Sequence, residues 1–237
     1  MNNIVLILIS CVPVIILLKI IYDNDKIEKE PKWLLFLIFI GGCISFIVTK
    51  ELTKIYSYYM PELLQITQET FDLMLISFAG IAIIEEVSKY IILNIFTWRS
   101  KYFNEVYDAV LYSVFISLGF CVIENIVYLM DGNIQTLILR SAFSVPAHTC
   151  FGILMGYNYG FSKYYSKNTI DGEQFYYRYA AFFFPVIFHG AYDYILSSNQ
   201  ENTLIIFLIY IFIMGSVCIN FIIKLIKFKL TFKNRKY

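Results

Sequence analysis

Glu85, Glu86 and Lys89 lie inside a stretch, Leu73 to Phe96, that otherwise has the composition of a membrane helix. One charged side chain at mid-bilayer costs roughly 2.5–3.5 kcal/mol on insertion scales, so these groups need polar partners or a water-filled cavity. On a helix Lys89 can contact either carboxylate, because one lies four residues before it and the other three. Adjacent glutamates point about 100° apart, so one can face a cavity while the other braces a neighbouring helix. The stretch therefore predicts ionisable partners elsewhere in the chain.

Ionisable partners occur in three further apolar segments. His189 and Asp193 have the spacing of one helical turn, and Glu124 has Asn125 directly beside it. The other polar groups are single residues: Asp108, Arg140 and His148. Because four helices would each turn a polar feature inward, we predict one water-containing pocket. Counting helical rise from the segment ends favours a pocket in the outer half that opens to the extracytoplasmic side. The alternative for any single residue is a structural polar network that holds the helices together.

These residue types suit acid–base chemistry on an amide. A carboxylate in a low-dielectric pocket can act as a general base, and a histidine with a carboxylate one turn away can act as an acid, a donor or a ligand. Water activated between such groups hydrolyses an amide if a donor stabilises the oxyanion. The sequence has no G-x-S-x-G, H-E-x-x-H or phosphate-binding glycine motif. The residues alone leave an intramembrane hydrolase and a proton- or ion-coupled carrier open.

The composition is that of a membrane protein. Hydrophobic residues make up 59% of the 237 residues and charged residues only 16%, whereas a soluble domain has about 25% charged residues. The net charge of +1 gives no sign of nucleic-acid binding. Five scattered cysteines without C-x-x-C spacing indicate buried thiols rather than a disulfide framework or a zinc site.

Windows of about 20 apolar residues predict an all-α polytopic membrane helix bundle, a single domain over residues 1–237. The seven predicted spans are Ile4–Tyr22, Trp33–Thr49, Phe71–Phe96, Val106–Met130, Ile134–Tyr157, Tyr177–Leu196 and Thr203–Ile226. With the N-terminus outside and the C-terminus inside, 15 of the 19 lysines and arginines fall on the inner side, including a basic cytoplasmic tail at 227–237. The long Lys50–Thr70 connection has room for an interfacial or re-entrant helix containing Pro61.

Two features of the fifth span predict its packing. Gly152, Gly156 and Gly160 have strict four-residue spacing, which lets the backbone of a neighbouring helix approach closely. Pro146, two residues before His148, is predicted to kink the helix inside the bundle.

Three motifs occur in order on successive polar spans. Glu85-Glu86-Val87-Ser88-Lys89 matches EExxK, Phe120-Cys121-Val122-Ile123-Glu124 matches FxxxE, and His189-Gly190-Ala191-Tyr192-Asp193 matches HxxxD. The ordered set, within about residues 71–196, resembles the PrsW family of intramembrane proteases, which is related to the CAAX prenyl-protease and bacteriocin-processing superfamily. Tyr107-Asp108-Ala109, Leu118-Gly119-Phe120, and Arg140 with Pro146-Ala147-His148 also resemble the family's setting for these motifs.

The resemblance implies a multi-pass peptidase of the bacterial plasma membrane. Its expected substrate is a single-pass membrane protein, and its expected reaction is the first cut in an anti-sigma factor near the extracytoplasmic side during envelope stress. The resemblance also implies the catalytic residues, of which one glutamate activates water: Glu85, Glu86, Lys89, Glu124, His189 and Asp193. Which glutamate is the base stays open. The alternatives are a coupled transporter and a non-catalytic membrane interaction or immunity protein.

Metal dependence also stays open at this stage. The nitrogen and oxygen ligands of Glu124, His148, His189 and Asp193 are sufficient for Zn²⁺, with a glutamate as base. Carboxylates and imidazole alone are sufficient for a metal-free reaction. We expect the metal-free version, with zinc as the alternative.

Overall fold

The computed structural model describes residues 3–25, 29–59, 69–131, 134–167, 172–198 and 200–233, and the regular structure in these ranges is helical. Its α-helices are α1 (Asn3–Asn24), α2 (Lys32–Tyr59), α3 (Glu69–Leu75), α4 (Ile83–Thr97), α5 (Val106–Asp131), α6 (Ile134–Leu139), α7 (Val145–Lys167), α8 (Glu173–Ser197) and α9 (Thr203–Lys233). The π-helical segment Ile76–Ala82 joins α3 to α4, and a second one, Arg140–Ser144, joins α6 to α7. The described chain therefore forms seven long helical rods, one for each predicted span.

Five helices of the described ranges are long and apolar enough to cross a membrane. They span Leu6–Asn24, Lys32–Tyr59, Val106–Met130, Ile134–Lys167 and Thr203–Phe228. The α3–α4 rod and α8 are not among the five, because they hold Glu85, Glu86, Lys89, His189 and Asp193 and are less apolar. The predicted all-α polytopic membrane fold is confirmed. The helix predicted around Pro61 and the last four residues of the predicted tail lie outside the described residues.

The rods run alternately up and down, so their ends form two opposite ends of the bundle. The basic end contains the last residues of α1, α4, α7 and α9 and the first residues of α2, α5 and α8. The opposite end contains the last residues of α2, α5 and α8 and the first residues of α1, α3, α6 and α9. Apolar residues of α5 such as Val110 and Leu118 are fully buried, and this helix forms the centre of the bundle. Helices α1 and α9 lie at the periphery, with 18% and 17% of their apolar windows buried.

The glycine stripe of α7 packs directly on the backbone of α5. A Cβ atom added to Gly156 would lie 2.5 Å from the Cα of Val110, and one added to Gly160 would lie 2.6 Å from the carbonyl oxygen of Val106. Gly152 lies against α5 in the same way. The prediction that this stripe allows close helix packing is confirmed, and it brings His148 next to the helix that carries Glu124.

A π-helical segment precedes the polar residues of two rods. Ile76–Ala82 ends three residues before Glu85, and Arg140–Ser144 ends two residues before Pro146. Pro146 has no N–H to continue the hydrogen-bond ladder, and a widened turn precedes it. The kink predicted at Pro146 stays a prediction. Each π-helical segment ends within a turn of a polar side chain of the candidate site.

Candidate active site

The imidazole of His189 is surrounded by three carboxylates. Its Nδ1 lies 2.8 Å from Oε1 of Glu86, and its Nε2 lies 3.8 Å from Oε2 of Glu85 and 3.3 Å from Oδ2 of Asp193. The contact with Glu86 places the proton on Nδ1, because a carboxylate oxygen only accepts. The oxygens of Glu85 and Asp193 that face Nε2 are buried and accept no hydrogen bond from the described residues. We refer to Glu85, Glu86, His189 and Asp193 as the His189 group.

The second imidazole, His148, has a partner on each ring nitrogen. Nδ1 lies 3.4 Å from Nζ of Lys89, and Nε2 lies 3.0 Å from Oε2 of Glu124. An ammonium only donates, so Nδ1 accepts from Lys89 and Nε2–H donates to Glu124. The same carboxylate oxygen also lies 2.6 Å from Nη2 of Arg140. We refer to Lys89, Glu124, Arg140 and His148 as the His148 group.

Lys89 joins the two groups. Its ammonium is fully buried and lies 2.8 Å from Glu86 and 3.5 Å from Glu85. It also lies 4.1 Å from the centre of the Phe120 ring, a cation–π contact that replaces part of its lost hydration. The i,i+3 and i,i+4 contacts predicted from the EExxK spacing are both present. Glu86 is the glutamate that braces α8, because its Oε1 accepts from Lys89 and His189 together.

The guanidinium of Arg140 fixes the outer edge of the His148 group. Besides the ion pair with Glu124, its Nε donates to Oδ1 of Asn125 at 2.8 Å and its Nη2 donates to Oγ of Ser144 at 3.2 Å. The ring of Tyr128 lies under the guanidinium, 3.9 Å from its carbon. Asn125 was visible in the sequence as a polar neighbour of Glu124, and the structure gives it the role of an anchor for this arginine.

Four side chains of the two groups are partly open to the exterior. The exposed fractions are 10% for Glu85, 12% for Glu124, 17% for Arg140 and 20% for Asp193, whereas Glu86 has 1%. The most exposed of them, Arg140 and Asp193, are close to the start of the α6–α7 rod and the end of α8, at the opposite end of the bundle from the basic end. The most exposed side chains of the site therefore lie toward the end that the predicted orientation assigns to the extracytoplasmic side.

The structure brings all six predicted catalytic residues and His148 into one cluster. The residue that does not join it is Asp108, whose carboxylate accepts the backbone N–H groups of Asn104 and Glu105 at the start of α5. Phe151 also belongs to the site, although its place there was not predicted from the sequence. The ring of Phe151 stacks on that of His189 with centroids 4.6 Å apart, and only its position one turn after His148 pointed to the site.

The sequence of this chain matches the model of a known family. Residues 30–219 match the family model described as PrsW family intramembrane metalloprotease. The chain belongs to the PrsW family. The predicted resemblance is confirmed, and this membership makes the chain a peptidase of a bacterial membrane.

Relatives in the PrsW family extend over most of this chain. Protease PrsW of Oceanobacillus iheyensis is 33% identical over 198 residues, which cover 82% of this chain and 84% of the relative. Protease PrsW of Clostridioides difficile is 29% identical over 219 residues, covering 90% and 87%, and that of Bacillus subtilis is 27% identical over 206 residues, covering 86% and 88%. No solved structure matches the chain.

Two sets of side chains in this PrsW-family site have the donors for a metal ion. The ligand atoms of Glu85, Glu86 and His189 lie within 4.8 Å of one another, and so do those of Cys121, Glu124 and His148. In the second set both imidazole nitrogens already have partners, so a metal ion would have to displace Lys89 or the contact with Glu124. In the first set Nε2 of His189 faces oxygen atoms alone. The His189 group is therefore the one that fits a metal ion.

Proposed function

We propose that this chain is an intramembrane endopeptidase in which Glu85 takes a proton from the attacking water. The proposal depends on the surroundings of the Glu85 carboxylate, namely its exposure and its lack of a hydrogen-bond donor on Oε2. This carboxylate is partly exposed in the pocket, its Oε2 accepts no hydrogen bond from the described residues, and it lies 3.8 Å from Nε2 of His189. Glu86, by contrast, is buried and held by two donors. Of the two glutamates left open by the sequence, Glu85 is the one that can reach water.

The charges of the cluster support a divalent metal ion in the His189 group. Glu85, Glu86, Glu124 and Asp193 supply four carboxylates, and the fixed cations are Lys89 and Arg140. Buried charge is costly unless it is compensated, so the cluster lacks positive charge on its His189 side. A proton or a metal ion at Nε2 of His189, between two carboxylate oxygens, would supply this positive charge. Because of this missing positive charge and the family description, we propose zinc in place of the expected metal-free version.

Two ligands of the metal ion would be Nε2 of His189 and Oδ2 of Asp193, a nitrogen and an oxygen that suit Zn²⁺, while Glu85 would stay uncoordinated as the base. When bound, zinc supplies Lewis acidity: it makes a water more acidic and stabilises negative charge on a carbonyl oxygen. Glu86 would act on His189 from behind, since a carboxylate on Nδ1 fixes the tautomer and orients the ring of a metal-binding histidine. Phe151 holds the same ring from its face.

The chain's own side chains account for the proton transfers. The Glu85 carboxylate accepts the proton of water as the water oxygen bonds to the carbonyl carbon of the scissile peptide. As the carbon–nitrogen bond breaks, Glu85 returns this proton to the leaving nitrogen. Lys89 compensates the charge of Glu86 so that the pair is neutral next to the reacting atoms. Glu124, Arg140 and His148 keep Lys89 in this position.

The proposed substrate is a single-pass membrane protein, cut near the extracytoplasmic side, and an anti-sigma factor is the specific candidate. Two points support this choice. The most exposed side chains of the site, Arg140 and Asp193, lie toward the end of the bundle that holds few of the basic residues, and the family description is that of an intramembrane protease. The anti-sigma factor rests on the resemblance to the family alone.

Co-expression with a tagged anti-sigma factor from the same cell tests the proposal. Wild-type protein should cut the tagged protein, while Glu85→Gln, Glu86→Ala and His189→Ala should leave it intact. Glu51→Gln is the matched control, since this glutamate is exposed on α2 and pairs only with Lys54 among the described residues. Cleavage by all three site variants at the wild-type rate would show that the site is assigned wrongly. Proton-coupled uptake that is lost in Glu124→Gln, without cleavage of any membrane protein, would favour a carrier.

A further inference from the structure

A second polar cluster lies at the basic end of the bundle, below the candidate active site. Its centre is the ring of Trp98, the residue that directly follows α4. Nζ of Lys163 on α7 lies 4.7 Å from the centre of this ring, and the guanidinium carbon of Arg178 on α8 lies 5.2 Å from it. Lys163 also donates to the carbonyl oxygen of Trp98. Three helices therefore present cationic and aromatic groups to one place.

The α4 side of this cluster is a stripe of hydrogen-bonding side chains. Tyr90, Asn94 and Trp98 are spaced by four residues, so they share one face of the helix. The Tyr90 hydroxyl lies beside the Arg178 guanidinium. Nδ2 of Asn94 is buried and has no hydrogen-bond partner among the described residues. An amide N–H₂ group without a partner costs free energy, and an acceptor from outside the chain would remove that cost.

The positive charge of the cluster is not balanced within the described ranges. No described carboxylate forms an ion pair with Lys163, Arg178 or the neighbouring Lys167, which donates to the carbonyl oxygen of Phe103. Five described donors or cations thus face a region that offers them backbone carbonyls and aromatic rings: Tyr90, Asn94, Lys163, Lys167 and Arg178. The ligand chemistry that complements such a set is an oxyanion with several acceptor oxygens.

We propose that this cluster binds the phosphate group of an anionic phospholipid. The depth of the donors favours a lipid over a soluble anion. Asn94 lies three residues before the end of α4, Lys163 four before the end of α7 and Arg178 five after the start of α8, which places them about 5–8 Å inside the helix ends. Lipid phosphates and glycerol groups lie in this interfacial layer, and so do tryptophan and tyrosine side chains.

A bound phosphate would connect the two rods that carry the His189 group. Helix α4 carries Glu85 and Glu86, and α8 carries His189 and Asp193. At their other ends the same helices supply Asn94 and Arg178 to the cluster. The lipid therefore acts as a tie between α4 and α8 on the side away from the pocket opening, and anionic lipid should stabilise the folded protein whether or not a substrate is cut.

The test is lipid binding by the full chain in nanodiscs, compared between phosphatidylcholine alone and a mixture with phosphatidylglycerol. Phosphatidylglycerol should raise the unfolding temperature of the wild type, and native mass spectrometry should show one retained phosphatidylglycerol. In Lys163→Gln/Arg178→Gln the affinity for this lipid should fall by about 30-fold, because each basic side chain near the membrane surface contributes about a factor of five. The matched control is Arg99→Gln/Lys101→Gln, which removes the same two charges from the adjacent loop and should behave like the wild type.

Two results would overturn the proposal. One is an equal response of the site variant and the control to phosphatidylglycerol, which would mean that general surface charge is responsible. The other is the same stabilisation by inorganic phosphate in phosphatidylcholine nanodiscs, which would identify a soluble anion as the ligand.

A second variant covers the case in which the double variant does not fold. Asn94→Asp keeps both cations and places a negative charge in the stripe, so it should also lose the retained lipid while remaining folded. Retention of the lipid by Asn94→Asp at wild-type affinity would contradict the site.

Discussion

The two histidines of the site lie 5.6 Å apart between ring centroids, yet their surroundings differ in one respect. In the His148 group each ring nitrogen has one donor or acceptor, and Glu124 is balanced by Arg140. In the His189 group two carboxylate oxygens face Nε2 without accepting a hydrogen bond from the described residues. Buried polar atoms in folded proteins are nearly always paired, so unpaired ones in a cleft mark the place where something else binds or reacts.

The contrast between the two groups shows how a helix bundle can hold a reactive site within a membrane. The His148 group is a complete network that fixes Lys89, and Lys89 in turn fixes Glu86. Because the His148 group is fixed in this way, the carboxylates of the His189 group can remain without compensating partners and can bind water, a metal ion or substrate. The comparison predicts that changes in the two groups will separate activity from stability.

The largest expected effect is on the rate of peptide cleavage. Glu85→Gln should lower it by at least about 1,000-fold, since it removes the proposed base, while the unfolding temperature stays close to the wild type. Glu124→Gln should lower the unfolding temperature as well, because it leaves Arg140 in a partly buried place without its carboxylate. Cleavage in reconstituted membranes and thermal unfolding of the same preparations measure both. If Glu85→Gln lowered the unfolding temperature more than Glu124→Gln, this would contradict the prediction that the His189 group serves activity and the His148 group serves stability.

The next effect concerns metal content. Purified wild type should hold about one zinc ion per chain, as measured by elemental analysis, and chelation should remove activity together with the metal. His189→Ala should lose the metal, because Nε2 is the nitrogen ligand of the proposed set. His148→Ala is the matched control on the facing histidine and should retain it, since both of its ring nitrogens have other partners. Activity in a verified metal-free preparation would contradict the zinc proposal and support the metal-free reaction.

Lys89 tests the connection between the groups. Lys89→Met keeps the shape of the side chain but leaves Glu86 buried without its cation, and breaking a buried ion pair costs about 3–5 kcal/mol. We expect this loss in the free energy of unfolding, together with loss of cleavage. Lys54→Met is the control, since this lysine forms an exposed ion pair with Glu51 that contributes less than about 1 kcal/mol. Equal stability of the two variants would mean that Lys89 does not hold the groups together.

The smallest effect comes from the packing behind His148. Gly156→Ala would place a Cβ atom 2.5 Å from the α5 backbone, so α7 must move, at a cost of about 1–3 kcal/mol. Because α7 carries His148, activity should fall by less than in Glu85→Gln while the metal is retained. Gly215→Ala on α9 meets nothing within 4 Å and should leave stability within about 1 kcal/mol of the wild type. An unfolding temperature of Gly156→Ala equal to that of Gly215→Ala would show that the stripe is not tightly packed.

Spacing along the helices was sufficient to predict which side chains share one face of a helix. The cost of buried charge required partners for Glu85, Glu86 and Lys89, and the one-turn spacing of His189 and Asp193 placed these two on one face. The predicted close packing of the glycine stripe follows from the same periodicity. These are local rules of helix geometry, and the sequence contains all that they need.

Spacing could not predict which of Glu85 and Glu86 braces α8 and which faces water. This difference depends on how far each rod is rotated about its axis, and the π-helical segments Ile76–Ala82 and Arg140–Ser144 change that rotation. A π-helical turn holds an extra residue and shifts the following side chains by about 100°, and it has no reliable sequence signature. The stacking of Phe151 on His189 was missed for a related reason, because it depends on contact between α7 and α8.

Gly190, between His189 and Asp193, has a consequence for how the sequence of this region can change. A Cβ atom there would lie 2.4 Å from the ring of Phe78 in the first π-helical segment, so the bare backbone of α8 and the aromatic ring occupy complementary volumes. A larger side chain at 190 requires a smaller one at 78, and the two positions should vary as a pair when homologous chains are aligned.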